Sequence, residues 1–126
     1  MPQGFYVHFA PEECFLAVGI WRPDMAALTQ IRQAIVDRPN RWRRARNDRK
    51  FRSVFELEGG SLKSSPRGFP ADHPLIEDLR RTDFLGLRAL MEADVLEEDF
   101  SDRVAESFTA SRPFMRFLCE ALNVPF

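Results

Sequence analysis

The run from Cys14 to Trp21 constrains this chain most. On an extended backbone it is apolar on both faces: Phe15, Ala17, Gly19 and Trp21 point one way, and Leu16, Val18 and Ile20 the other. A strand with no polar face needs cover on both sides and neighbours along both edges, which makes it an interior strand. Just upstream, Phe5, Val7 and Phe9 alternate with Tyr6, His8 and Ala10, the pattern of a strand over 5–10. Only Pro11-Glu12-Glu13 separates the two, and so short a polar turn makes the pair an antiparallel hairpin. Gly19 marks a bulge or a close approach of another element.

Helical spacing follows. Asp24 is a good N-cap, and Met25, Leu28, Ile31 and Ile35 form a stripe that Ala27 and Ala34 widen. Pro39 ends this helix near Arg38, and Asn40 caps a second, short helix reaching about Asn47. Further on, His73-Pro74 opens a short helix with Leu75, Ile76 and Leu79 on its apolar side. From Asp83 to Met91 the chain reads as a third strand in which Phe84, Leu85 and Leu87 are apolar and Arg88 is the exception. The last helix begins at Asp99 or Ser101. Its stripe runs through Phe100, Val104 and Phe108 to Phe114, Met115, Leu118 and Leu122, and Pro113 kinks it or splits it in two.

Strands before and after a helical middle, with a hairpin in place of β-α-β alternation, indicate an α+β fold. The expected architecture is a small antiparallel sheet, the N-terminal hairpin plus a strand near 83–91, covered by helices near 24–38 and 100–122. At 126 residues the chain is one domain, 1–126. Twelve Phe and two Trp stand beside a single Tyr, so the ring surface is almost wholly apolar and drives a core if the rings converge.

Composition excludes several classes. The two cysteines, Cys14 and Cys119, and two histidines show no metal-ligand spacing, and a zinc site would need all four to converge. No metal and no cofactor are expected. No apolar stretch approaches the ~18 residues of a membrane span, and no basic segment followed by an apolar run opens the chain. A soluble, reducing, cytoplasmic setting without a membrane partner is the expectation. The formal net charge is −1, yet bases outnumber acids up to Pro70, and acids outnumber bases beyond it.

Binding chemistry is expected in the connector from Lys63 to Pro74, where three prolines and a glycine brace a loop carrying Lys63, Arg67 and His73. Arg offers a planar fork for phosphate or carboxylate, Lys a point charge and His a switchable donor. His8, on the first strand, is a further candidate for the same site. The competing structural reading pairs Arg67 with loop carbonyls, Asp72 or Glu77, uses His73 as a helix cap, and leaves His8 as a satisfied strand residue. No nucleophile stands beside a base: Ser64 and Ser65 lack a Gly-x-Ser-x-Gly elbow, and phosphate-loop and dinucleotide glycine patterns are absent.

Two charged runs stand out. The basic run Arg38, Arg41, Arg43, Arg44, Arg46, Arg49, Lys50 and Arg52 contains Trp42 and Phe51, a mixture that suits nucleic acid. Its plainer reading is a solvated helix with Trp42, Ala45 and Phe51 facing inward. The acidic run Glu92, Asp94, Glu97, Glu98, Asp99 and Asp102 reads as carboxylates meeting a helix dipole. Cys14, beside Glu12 and Glu13, is a poor nucleophile candidate, and Cys119 reads as a core residue.

Gly4-Phe5-Tyr6-Val7-His8, Gly19-Ile20-Trp21-Arg22-Pro23-Asp24 and Ile31-Arg32-Gln33-Ala34-Ile35 resemble the domain of unknown function 2461 family. Leu62-Lys63, Pro66-Arg67-Gly68-Phe69, His73-Pro74, Leu79-Arg80-Arg81 and Asp83-Phe84-Leu85 extend the resemblance in order along nearly the whole chain. The resemblance implies a mostly bacterial protein and assigns no activity. It also implies that this chain corresponds to the C-terminal part of a longer family domain, without an upstream signature of the form Arg-x-x-Arg-Asp-x-Arg-Phe. Arg43 to Phe51 only imitates that signature, with its Asp and Phe each one position late. Surface left bare by a missing part would favour a homodimer, paired through the hairpin edge.

The functional expectation is a non-catalytic interaction or small-anion-binding domain whose Lys63–His73 loop meets a small anion or an acidic protein partner. The alternative is an enzyme on a phosphorylated or carboxylated small molecule, with Lys63 and Arg67 binding the charge and His73 moving the proton. Nucleic acid bound by the Arg38–Arg52 run is the disfavoured third reading, because the chain as a whole is not basic.

Overall fold

The computed structural model describes residues 4–10 and 13–126, and their side chains except at positions 5, 8, 9, 10, 13 and 92. Strands β1 (Gly4–Ala10) and β2 (Glu13–Ile20) form the hairpin, and they are followed by helices α1 (Met25–Asp37), α2 (Pro39–Arg46) and α3 (Arg49–Val54). A short strand β3 (Glu56–Glu58) and a long connector lead to α4 (Ile76–Leu79) and strand β4 (Phe84–Leu90). Helices α5 (Glu92–Val95), α6 (Phe100–Ala110) and α7 (Arg112–Ala121) complete the chain. The four strands make one antiparallel sheet in the order β1-β2-β4-β3. The fold is therefore α+β, with β2 interior. Among the described residues no helix is long and apolar enough to cross a membrane.

Register explains which residues share a face. Leu16 stands opposite Arg88, Val18 opposite Gly86 and Ile20 opposite Phe84. On this face Leu16, Val18, Ile20 and Phe84 are buried with Leu28, Ile31 and Ile35 of α1, Trp42 and Ala45 of α2, and Phe114, Met115 and Leu118 of α7. The rings do converge. Trp42 lies edge-on to Phe84 with centroids 5.8 Å apart, and Phe51 stacks on Phe114 at 4.7 Å. The glycine opposite Val18 makes room for that stack: a Cβ at Gly86 would lie 3.0 Å from the Phe51 ring. Gly19 is the close approach expected of it, since with φ at +116° a Cβ there would fall 1.9 Å from the Phe84 carbonyl oxygen.

Several boundaries differ from expectation. Trp21 is not a face residue of β2. The chain leaves the sheet at Arg22, whose φ is +53°, and Trp21 is 44 % exposed with the Arg22 guanidinium 4.5 Å from its ring centre. Asn40 does not cap α2. Pro39 is its first residue and Arg38 the capping position, because a proline that ends one helix has the φ, and lacks the N–H, that suit the first turn of the next. Asn40 instead accepts a bond from Arg43 Nη1 at 3.2 Å. The last helix, by contrast, splits as one of the two outcomes expected at Pro113: α6 and α7 part at Ser111, with Pro113 in the opening turn of α7. Helices α3 and α5 and strand β3 were not foreseen.

Candidate functional site

The connector ahead of α4 has a defined shape. Phe69 N donates to Pro66 O at 3.1 Å and His73 N to Pro70 O at 3.2 Å, giving two successive turns. Gly68 takes φ +88° within the first. Pro66 is buried and Phe69 packs against the core. The cations are carried outward. Lys63 and Arg67 are exposed, and among the described residues neither side chain has a hydrogen-bond or ion-pair partner. Glu77, offered as a mate for Arg67, lies 3.6 Å from Arg80. His73 is half-buried and its Nδ1 accepts from Leu75 N at 3.0 Å, so the ring caps the turn entering α4. The α4 helix itself opens at Ile76, later than Pro74. The side chain of His8 lies outside the described residues; its backbone pairs with Phe15 in β1.

Two clusters of charge were not foreseen as such. The first is a buried knot around Asp78 on α4, whose side chain is 3 % exposed. Trp42 Nε1 donates to Asp78 Oδ2 at 2.9 Å, Arg46 Nη1 pairs with the same oxygen, and Arg81 Nε donates to Oδ1 at 3.0 Å. Arg32, buried on α1, donates from Nε to Leu79 O at 2.7 Å and from Nη2 to Arg81 O at 3.2 Å. Burial pushes the Arg32 guanidinium below its usual pKa. Every member faces another member, so the knot fastens α4 to α1 and α2 and offers little to a ligand.

The second cluster opens to solvent. A groove of about 710 Å³ runs between α3 and α6, with Lys50 and Ser53 on one wall, Arg103 and Ser107 on the other, and Arg88 of β4. Arg88 stands opposite Leu16, so it is the cation on the helix-covered face of the sheet. It is half-buried, and its Nη1 donates to the hydroxyl of buried Ser107, which itself donates to Arg103 O at 2.9 Å. Among the described side chains no carboxylate pairs with Arg88. Lys50 likewise has no side-chain partner among them. Arg103 is already held by Glu97 at 3.0 Å and Asp94 at 3.6 Å. Asp48 is occupied in capping α3, where it accepts from Phe51 N at 3.0 Å. Glu106 is the remaining acid of the lining.

This arrangement can hold an anion. A guanidinium has five donors, and one from Arg88 is spent on a neutral hydroxyl. The rest, with Lys50 lining the same groove, suit the fork geometry of a carboxylate or phosphate. Proton transfer is poorly served, because the Ser107 hydroxyl gives its proton to a backbone carbonyl.

The basic run divides accordingly. Trp42 and Phe51 are fully buried, so neither ring can stack on a base. Arg46 belongs to the knot, Arg41 pairs with Glu120 at 3.0 Å, and Arg43 bonds Asn40. In the acidic run, Asp94 accepts from Met91 N at 2.9 Å and Asp102 lies in the first turn of α6.

The molecule is thus a small α+β protein with a groove between α3 and α6 lined by a strand arginine that donates to a serine hydroxyl. Over residues 1–117 it matches the family described as "Conserved hypothetical protein (DUF2461)", and the chain belongs to that family. No curated protein and no solved structure matches it.

Proposed function

We propose that this protein is a non-catalytic, cytoplasmic domain that binds a small carboxylate or phosphate in the groove between α3 and α6. One observation carries the reading: Arg88, half-buried beneath two helices, has a hydroxyl partner and no carboxylate among the described side chains. A buried guanidinium is costly to leave without a counter-charge, and an anion from solution would supply one. Lys50 adds long-range attraction from the wall of the same groove. Lys63 and Arg67, on the exposed connector, are solvated cations and serve here as the comparison site.

The reading is tested by thermal shift with inorganic phosphate, sulfate, malonate and citrate on wild type, Arg88→Gln and Arg67→Ala. A ligand at one hundred times its Kd adds about 2.7 kcal/mol, enough to raise Tm by several degrees in a chain of this size. The expected result is a saturable rise in wild type and Arg67→Ala that Arg88→Gln loses. Equal responses in all three proteins, or loss in Arg67→Ala alone, would overturn it.

A further inference from the structure

The groove does not end at α3. Asp48 and Pro113 line both it and a second concavity of about 280 Å³ between α2 and α7, which carries Arg41, Arg44 and Arg116. The two form one channel along the outer side of α2 and α3. Its cations are unevenly engaged. Arg41 is taken by Glu120, and Arg116 lies 5.7 Å from the Phe126 ring centre, whereas Arg44 is exposed and has no partner among the described residues. Arg44 at one end and Arg88 with Lys50 at the other are therefore cations awaiting charge, separated by the carboxylate of Asp48 at the junction.

We propose that this channel receives an extended acidic segment of a partner protein, with one group of carboxylates at Arg88 and Lys50 and a second at Arg44. This rests on the anion reading of the Arg88 groove and names the molecule that bears the anion. Charge complementarity selects the occupant. A peptide can place a neutral residue over Asp48, whereas a nucleic-acid backbone carries a phosphate at every step and would meet that carboxylate. The channel also lacks a platform for bases: Trp42 and Phe51 face the core, and Phe117, which lines it, is 3 % exposed. An extended segment can follow both concavities in turn, from the α3–α6 groove past Asp48 and Pro113 to the α2–α7 side.

Fluorescence anisotropy tests the proposal on the full chain with two labelled peptides, a short oligoglutamate of one glutamate cluster and a long one of two such clusters joined by neutral glycine and serine, alongside inorganic phosphate and oligouridylate. The long oligoglutamate is expected to bind at least about tenfold more tightly than the short one, through the second contact group. Arg44→Glu, at an exposed position with no partner to lose, is expected to weaken the long oligoglutamate by about threefold or more and leave phosphate binding unchanged. Arg88→Gln is expected to weaken both. If Arg44→Glu changes nothing, or if affinity does not grow with length, the channel is not a peptide site although the small-anion reading stands. If phosphate also fails to bind wild type, both readings fall. Oligouridylate binding more tightly than the long oligoglutamate would overturn the proposal in favour of a nucleic-acid surface.

Discussion

The Asp78 knot and the Arg88 groove use the same side chain to opposite ends. In the knot, Arg46 and Arg81 converge on one carboxylate, Trp42 donates to it as well, and the carboxylate is 3 % exposed. In the groove, Arg88 is held by a neutral hydroxyl; Asp48 is engaged in a cap, Asp94 and Glu97 by Arg103, and Glu106, the other acid of the lining, does not pair with it. An arginine whose counter-charge is built into the fold is structural. One half-buried beside a hydroxyl, in the lining of an open groove, can take a counter-charge from outside. The contrast separates fold from function in a chain that has arginines nearly everywhere.

The largest effect falls on the knot. Asp78→Ala strands two guanidinium groups and the Trp42 N–H, and a loss of about 3–5 kcal/mol is expected, the size typical of breaking a buried pair from one side. Urea unfolding measures it. A loss under 1 kcal/mol would mean that the knot is solvated and the contrast with the groove is false. Gly19→Ala follows, with about 1–3 kcal/mol from its φ of +116° and a further cost from overlap with the Phe84 carbonyl. That variant checks the close packing of β2 on β4 that sets Arg88 opposite Leu16.

Ser107→Ala comes next, at about 1–2 kcal/mol, because it deprives Arg88 of its only described acceptor. Phosphate should restore more stability to this variant than to wild type if an anion takes the place of the hydroxyl. Equal restoration would argue against the groove as the binding site. The two cysteines give a smaller, kinetic contrast. Burial in α7 pushes the Cys119 thiol above its usual pKa, whereas Cys14 lies partly exposed on the wall of a cavity that adjoins the groove. Alkylation should reach Cys14 in the folded protein and Cys119 only on unfolding. Because the folded pKa of Cys119 is the higher one, its contribution to stability is intact below the ordinary thiol pKa and is lost as pH rises through the raised value. Arg67→Ala should change stability by no more than about 0.5 kcal/mol, as a solvated side chain without a partner would.

Much of the fold was legible. The two-sided apolar run of β2, the Asp24 cap and the stripe of α1, and the break at Pro113 each rest on local chemistry that tertiary contacts reinforce. What escaped was short or set by distant partners. Strand β3 has three residues, Glu-Leu-Glu, and no pattern of its own; it forms because β4 presents an edge to it. Trp21 reads as apolar and strand-like, and only the left-handed turn at Arg22, tied to Asp83 Oδ1 at 2.6 Å, takes it out of the sheet.

The site was half legible. Arg88 interrupts an otherwise apolar strand, and that interruption was the available signal. What it meant depended on register, which places Arg88 on the helix side, and on Ser107 nineteen residues later. The connector drew attention because its prolines and cations are adjacent in sequence. It folds into two turns, with His73 used for a cap and Lys63 and Arg67 exposed. Asp78, one of many acids in the C-terminal half, gave no local sign that residues from α2 would close over it.

The central claim is that Arg88 takes its counter-charge from solution while the knot's arginines have theirs already. The arginine Nε–Hε signals of the labelled protein, assigned by their loss in Arg88→Gln, Arg46→Gln and Arg81→Gln, follow each site during a phosphate titration. The account predicts a saturable shift at Arg88 and still signals at Arg46 and Arg81. A fixed Arg88 signal up to high phosphate, or a response no larger than that of exposed Arg67, would contradict it.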